Sequence, residues 1–178
     1  MKILNNPQTS NYADLKNFIL GDSFPWFWND HFVYKGNTDY FKDGTDAQDI
    51  PFFTHSFLNR TKHTGEKYPT VNSPHIGPVS NVVNEIFDFN SIKVKCVYRM
   101  NANLMQPQKG NQKTFAHIDH DFPHKNLIVY LTNVGGETVC GEERHDPKEN
   151  DIISFEGIHY NMLPKKGRRI VLVATYLE

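Results

Sequence analysis

The chain has 178 residues, a length that suits one domain with a substantial core, and its 19 basic and 20 acidic residues leave a formal charge of −1. So even a balance excludes a general binder of nucleic acid or of anionic membrane, which would carry a basic excess. The two cysteines, Cys96 and Cys140, read as buried free thiols of a reducing compartment. No cationic start leads into an apolar run, and no apolar run approaches about 18 residues, so the expected location is the cytoplasm.

In chain order, residues 2–4 form a short predicted strand. A helix follows, capped by Ser10, striped with Tyr12, Leu15, Phe18 and Ile19, and stopped at Gly21. Residues 24–32 are extended, because Pro25 and the aromatics around it resist helix. The early aromatics, Phe24, Trp26 and Phe57 among them, are expected in the core. Residues 34–49 and 59–74 are polar and rich in turn formers, which predicts surface loops and candidate lids, with a strand at 51–58 between them. Residues 77–88 predict a second helix, with Pro78 in its first turn and Val79, Val82, Val83 and Ile86 on one face. Beyond Ser91 the pattern turns to strands, at 92–104, 114–119, 126–132, 137–140, 152–155 and 170–177. Gly135 and Gly136 fit a tight hairpin turn between the third and fourth of these. Helices early and strands late describe one α+β domain over 1–178. Residues 1–90 flank a sheet-rich barrel at 91–178.

Within that barrel the sequence TFAHID places His117 and Asp119 two residues apart. On an extended strand both side chains share a face, with Cα atoms roughly 7 Å apart, so both can reach one metal ion. A third ligand is expected at His159, forty-two residues after His117, in a stretch that also reads as a strand, with a bend at Gly157. Two imidazoles and a carboxylate on one side of an ion leave positions open, the arrangement of non-haem Fe(II) oxygenases. His117, Asp119, His159 and, ten residues later, Arg169 resemble the HxD…H…R signature of the Fe(II)/2-oxoglutarate-dependent dioxygenases. The segments VYLTN, GGETV and FEGIHYNMLPKKGRRIVLVATYL are similar to the prolyl-4-hydroxylase-like branch, which includes small phage and bacterial members.

The resemblance implies a jelly-roll core, the double-stranded β-helix of cupins, with helices packed against it. It implies Fe(II) as metal, 2-oxoglutarate as cosubstrate and O2 as oxidant. His117, Asp119 and His159 would be the ligands. The aspartate points to hydroxylation, since halogenating members lack that carboxylate. Arg169 would grip the far carboxylate of the cosubstrate, as a guanidinium fork suits it, with Arg168 the alternative if the register slips by one. Tyr130, Tyr98, Asn101 and Asn103 fall where relatives place cosubstrate contacts, and Thr138 near the site. His120, Asp121 and His124 are expected in a solvated loop at the mouth, and the remaining histidines, His55 among them, at the surface. The primary substrate, a prolyl peptide or a small molecule, and the oligomeric state are not encoded in any motif. The rival expectations are a cupin-like metal-binding module without catalysis and a virion-associated structural protein built on the same barrel.

Overall fold

The structure is a computed structural model that describes residues 1–32, 47–48, 50–110 and 112–178. Of the polar loop expected at 34–49, all but residues 47–48 lie outside the described residues. The strands are β1 (Lys2–Leu4), β2 (Phe27–Asn29), β3 (Ala47–Gln48), β4 (Phe52–Asn59), β5 (Thr70–Val71), β6 (Cys96–Met105) and β7 (Lys113–Thr114), followed by β8 (Lys125–Tyr130), β9 (Thr138–Cys140), β10 (Glu143–His145), β11 (Ile152–Phe155), β12 (His159–Asn161) and β13 (Arg169–Leu177). The helices are α1 (Ser10–Leu20), α2 (Thr61–Thr64) and α3 (Ile76–Phe89). A large sheet runs β1-β11-β8-β13-β6-β4-β2, with β5 on β4. A smaller one runs β10-β9-β12, and β3 pairs with β7. The pairs within the large sheet are antiparallel. Together with the helices this is the α+β jelly-roll expected from the sequence.

Period-two alternation along β6, β8 and β13 sorts their residues between two compartments. Met100, Ala102 and Leu104, with Leu127, Val129, Ile170, Leu172 and Ala174, face outward. There they join Leu15, Ile19, Val79, Val82, Val83 and Ile86 of α1 and α3 in the main core. Each such aliphatic side chain, fully buried, contributes about 1.5–3 kcal/mol. The opposite row, Ile128, Tyr130, Ile153, Phe155, Val171 and Val173, forms a second apolar cluster between the sheets. That inner row also carries Arg169, Asn103 and Thr175, all buried.

Four local expectations change. The cap of α1 is Thr9 rather than Ser10, its hydroxyl accepting the Tyr12 N–H at 3.2 Å and donating to Glu85 of α3. Gly135 and Gly136 do not close a hairpin. The strand before them, β8, pairs with β11 and β13, whereas β9 after them pairs with β10 and β12, so this connection crosses between sheets. The stretch 151–160, expected as one strand with a bend at Gly157, divides there (φ 94°) into β11 and β12, which belong to different sheets. The connection 59–74 contains α2 and β5 rather than irregular chain alone. No helix among the described residues is long and apolar enough to cross a membrane.

Candidate active site

His117 and Asp119 follow β7 in chain that is no longer regular strand, which differs from the strand expected over 114–119. What fixes His117 is a single antiparallel bridge to His159: its N–H donates to the His159 carbonyl at 2.9 Å and its carbonyl accepts from the His159 N–H at 3.0 Å. The two rings therefore lie side by side, centroids 4.4 Å apart. His117 Nδ1 is 3.1 Å from the Phe115 carbonyl oxygen and His159 Nδ1 is 3.2 Å from that of Gly157. A carbonyl only accepts, so Nδ1 carries the proton in both rings and each Nε2 keeps a free lone pair. Burial lowers both imidazoles, His159 to about 3, so both are neutral at pH 7. One ligand atom from each of His117, Asp119 and His159 fits within a 4.8 Å span. Two neutral imidazoles and a carboxylate at that spacing fit a divalent ion with open coordination positions.

Asp119 divides its two oxygens. Oδ2 lies 3.7 Å from His159 Nε2, on the side of the imidazoles, while Oδ1 accepts from Arg99 Nη1 at 2.7 Å with Arg60 Nη2 at 4.0 Å. Arg60 also donates to the Asp119 backbone carbonyl at 2.5 Å. Burial would raise this carboxyl, but Arg99 foremost, with the imidazoles and Arg60, holds it below the usual carboxylate range. The carboxylate is thus ionised and held in orientation before any ligand arrives.

Arg169, which begins β13, is 2% exposed. Its Nε donates to Gly136 O, and its Nη2 to Thr138 Oγ1 and Asn161 Oδ1, each at 3.0 Å. The guanidinium carbon lies 5.2 Å from the centre of the Tyr130 ring. Thr138 is the hub: it accepts from Tyr130 at 2.7 Å and from Arg169, and donates its one proton to Asn161 at 3.0 Å. All three bonds of Arg169 go to neutral oxygens, and among the described residues no carboxylate pairs with it. Burial pulls the guanidinium down from its ordinary value and Tyr130 opposes this; an arginine nonetheless stays charged at neutral pH. A buried cation without a counterion is costly, and an anion beside it would offset that cost. Asn161, which accepts from Arg169, stands two residues from His159 on β12, a step of roughly 7 Å along the strand.

An open cavity of about 520 Å³ reaches His117 and Asp119 from outside, and its wall includes Arg60, Arg99, Asn101 and Asn103. Neither Arg169 nor His159 lines it, so the cavity reaches two of the four motif residues. Arg168 is exposed, which leaves Arg169 as the inward arginine. Asn103 accepts from Thr54 at 2.8 Å and from Asn101 at 2.5 Å. Tyr98 does not line the cavity. It sits where the β6–β13 register shifts, off the row of Asn101 and Asn103, and its ring packs on Phe122 and His120.

His120 and His124 are buried rather than solvated. His120 Nε2 lies 2.7 Å from Thr175 Oγ1, and burial lowers its pKa to about 3. His55 is also buried, between the Pro25 carbonyl and the Ser73 hydroxyl. Sequence reasoning missed Arg60, Arg99 and Asn161. The signal for Arg99 was present: it shares the odd-numbered row of Asn101 and Asn103 that alternates with apolar Met100, Ala102 and Leu104.

No family model matches the chain, and no curated protein does. Among solved structures, a viral collagen prolyl hydroxylase from Paramecium bursaria Chlorella virus-1 superimposes with TM-score 0.48 at 14% identity, over 85% of this chain and 94% of that one. The epimerase SnoN from nogalamycin biosynthesis gives 0.48 at 11% identity, over 93% and 82%. An oxidoreductase of the 2OG-Fe(II) oxygenase family from Burkholderia pseudomallei gives 0.62 at 14% identity, over 93% of this chain and 76% of that one. The chain therefore has the jelly-roll fold of that oxygenase.

Proposed function

We propose that this protein is an Fe(II)- and 2-oxoglutarate-dependent oxygenase that hydroxylates a peptide or small-molecule substrate. The observation that carries the reading is a buried guanidinium with no acidic partner among the described residues, bonded to Asn161 two residues along β12 from a His–Asp–His cluster. A metal-binding barrel without catalysis has use for the cluster but none for that charge. When bound, ferrous iron with 2-oxoglutarate and O2 supplies the oxidising chemistry that couples loss of CO2, leaving succinate, to oxygen insertion at a substrate C–H bond.

The chain's own residues supply the rest. The Nε2 lone pairs of His117 and His159 are kept available by the backbone carbonyls that take their Nδ1 protons. Asp119 adds a negative charge whose outer oxygen is held by Arg99. Arg169, held by Gly136, Thr138 and Asn161, takes the distal carboxylate of the cosubstrate through the two Nη1 protons that those three bonds leave free. Tyr130 shapes that pocket: burial pushes its phenol up, so it stays protonated and donates to Thr138. Ile128, Phe155, Val171 and Val173 exclude water from the inner compartment. The test is succinate formation from 2-oxoglutarate by purified protein with ferrous iron, expected in wild type and lost in Asp119→Ala. Iron binding with no affinity for 2-oxoglutarate would overturn the proposal in favour of a non-catalytic metal-binding barrel.

A further inference from the structure

The outer cavity carries a charge surplus that the metal cluster does not consume. Among the described residues that line it, Arg60, Lys62 and Arg99 are permanent cations and Asp119 is the one carboxylate. Arg60 and Arg99 keep only 18% and 14% of their side chains exposed, and both turn to that same Asp119. One carboxylate cannot satisfy both, since its Oδ1 is at 2.7 Å from Arg99 but 4.0 Å from Arg60, and its Oδ2 faces the imidazoles. Each arginine also has a buried Nε–H with no partner. Guanidinium groups withdrawn from water with unmet N–H groups are costly until an acceptor completes them, and an anionic acceptor does so best.

This demand is separate from that of Arg169. Arg169 pairs with Met105 at one end of β13 and Arg99 with Thr175 at the other, six residues or roughly 20 Å apart along the strand. The rest of the wall combines neutral polar groups, Thr54, Ser56, Asn59 and Asn101 among them, with the apolar side chains of Phe32, Phe52 and Ile118.

We propose that the primary substrate carries an oxyanion, a carboxylate or a phosphate, which docks between Arg60 and Arg99 at the cavity mouth and holds the reacting C–H beside His117 and Asp119. The inference rests on the oxygenase reading for what happens to that C–H bond, but the anion site can be measured without turnover. Inorganic phosphate and acetate are titrated separately into the metal-free protein while the Nε–H resonances of Arg60 and Arg99 are followed. Saturable shifts of both signals are expected with at least one of the two. Phosphate alone assigns a phosphorylated substrate, acetate alone a carboxylate, and both a site for either oxyanion. Arg60→Gln is expected to weaken binding at least about tenfold, as for loss of a charged hydrogen bond. Arg60→Lys should recover part of it, and Arg169→Gln should leave it within about twofold, since that guanidinium lies outside the cavity. No saturable shift with either anion, affinity that survives Arg60→Gln, or affinity lost with Arg169→Gln would each overturn the proposal. Should Arg60→Gln fail to fold, the wild-type and Arg169→Gln titrations decide. Absence of iron-dependent 2-oxoglutarate binding would instead remove the oxygenase reading and leave the anion titration as it stands.

Discussion

Replacing Gly136 by alanine tests the Arg169 site through a residue that makes no contact with the metal cluster. Gly136 has φ 89°, where an L residue is strained by about 1–2 kcal/mol. The added Cβ would stand 2.8 Å from Arg169 Cδ, 3.3 Å from its Nε and 3.0 Å from the Met162 carbonyl oxygen. The backbone oxygen of Met162 cannot withdraw, so the arginine must, and its Nε bond to Gly136 O goes with it. A hydrogen bond from a charged donor is worth about 1.5–3 kcal/mol, which brings the total loss to about 2.5–5 kcal/mol. For a chain of this length that is a fall in Tm of roughly 5–20 °C. Gly135→Ala is the internal control: its φ is 75°, yet nothing lies within 4 Å of its added Cβ, so it carries the backbone strain alone. Thermal unfolding and calorimetric titration with 2-oxoglutarate on both variants separate strain from displacement. Gly136→Ala should bind the cosubstrate at least about tenfold more weakly, and Gly135→Ala should match wild type. Equal behaviour of the two variants, or full affinity in Gly136→Ala, would refute the reasoning.

Other outcomes follow from the same contacts. Arg99→Gln frees Asp119 Oδ1 from its 2.7 Å bond and should cost about 10–100-fold in metal affinity, read by competition with a chelator; unchanged affinity would mean that the bond does not orient the carboxylate. Ile86→Ala, at a fully buried site of the outer core, should lower unfolding free energy by about 2–5 kcal/mol in urea while metal affinity of the folded protein stays the same. Burial pushes the Tyr12 phenol, which donates to Asn150 Oδ1 at 2.8 Å, up to about 12, so the folded state favours the protonated phenol. That contribution is present below the unfolded value near 10 and is lost as pH rises towards about 12. The urea midpoint should therefore fall above pH 10, and fall less steeply in Tyr12→Phe.

The sequence carried the inner architecture because chemistry and periodicity coincided there. Alternation placed Arg169, Val171, Val173 and Thr175 on one row, and the structure keeps that row facing inward. The two long helices were legible from Leu15 and Ile19, and from Val79, Val82 and Val83, because each stripe is continuous over several turns. What escaped was set by contacts between distant segments. The strand assigned to His117 and Asp119 gives way to a single bridge, because His159 and Arg60 take the backbone groups that a ladder would have used. Tyr98 stands near Asn101 and Asn103 in sequence, but its even position is out of phase with their odd-numbered row, and its ring packs on Phe122 and His120 where the register shifts. Arg60 lay in a polar stretch with no period at all, and only the folded chain brings it to a carboxylate 59 residues away. Gly136 looked like a turn former, yet the positive φ serves a close approach by Arg169.

In the proposed function, one metal held by His117, Asp119 and His159 shares a site with a small diacid held by Arg169. Anaerobic titration of the metal-free protein with ferrous iron, followed by 2-oxoglutarate, tests it directly through the visible charge-transfer band of an iron-chelated 2-oxoacid. Saturation at one iron per chain, with the band abolished in Asp119→Ala and shifted to at least about tenfold higher 2-oxoglutarate in Arg169→Gln, is the predicted result. A band that persists in Asp119→Ala, or a 2-oxoglutarate affinity indifferent to Arg169, would contradict it.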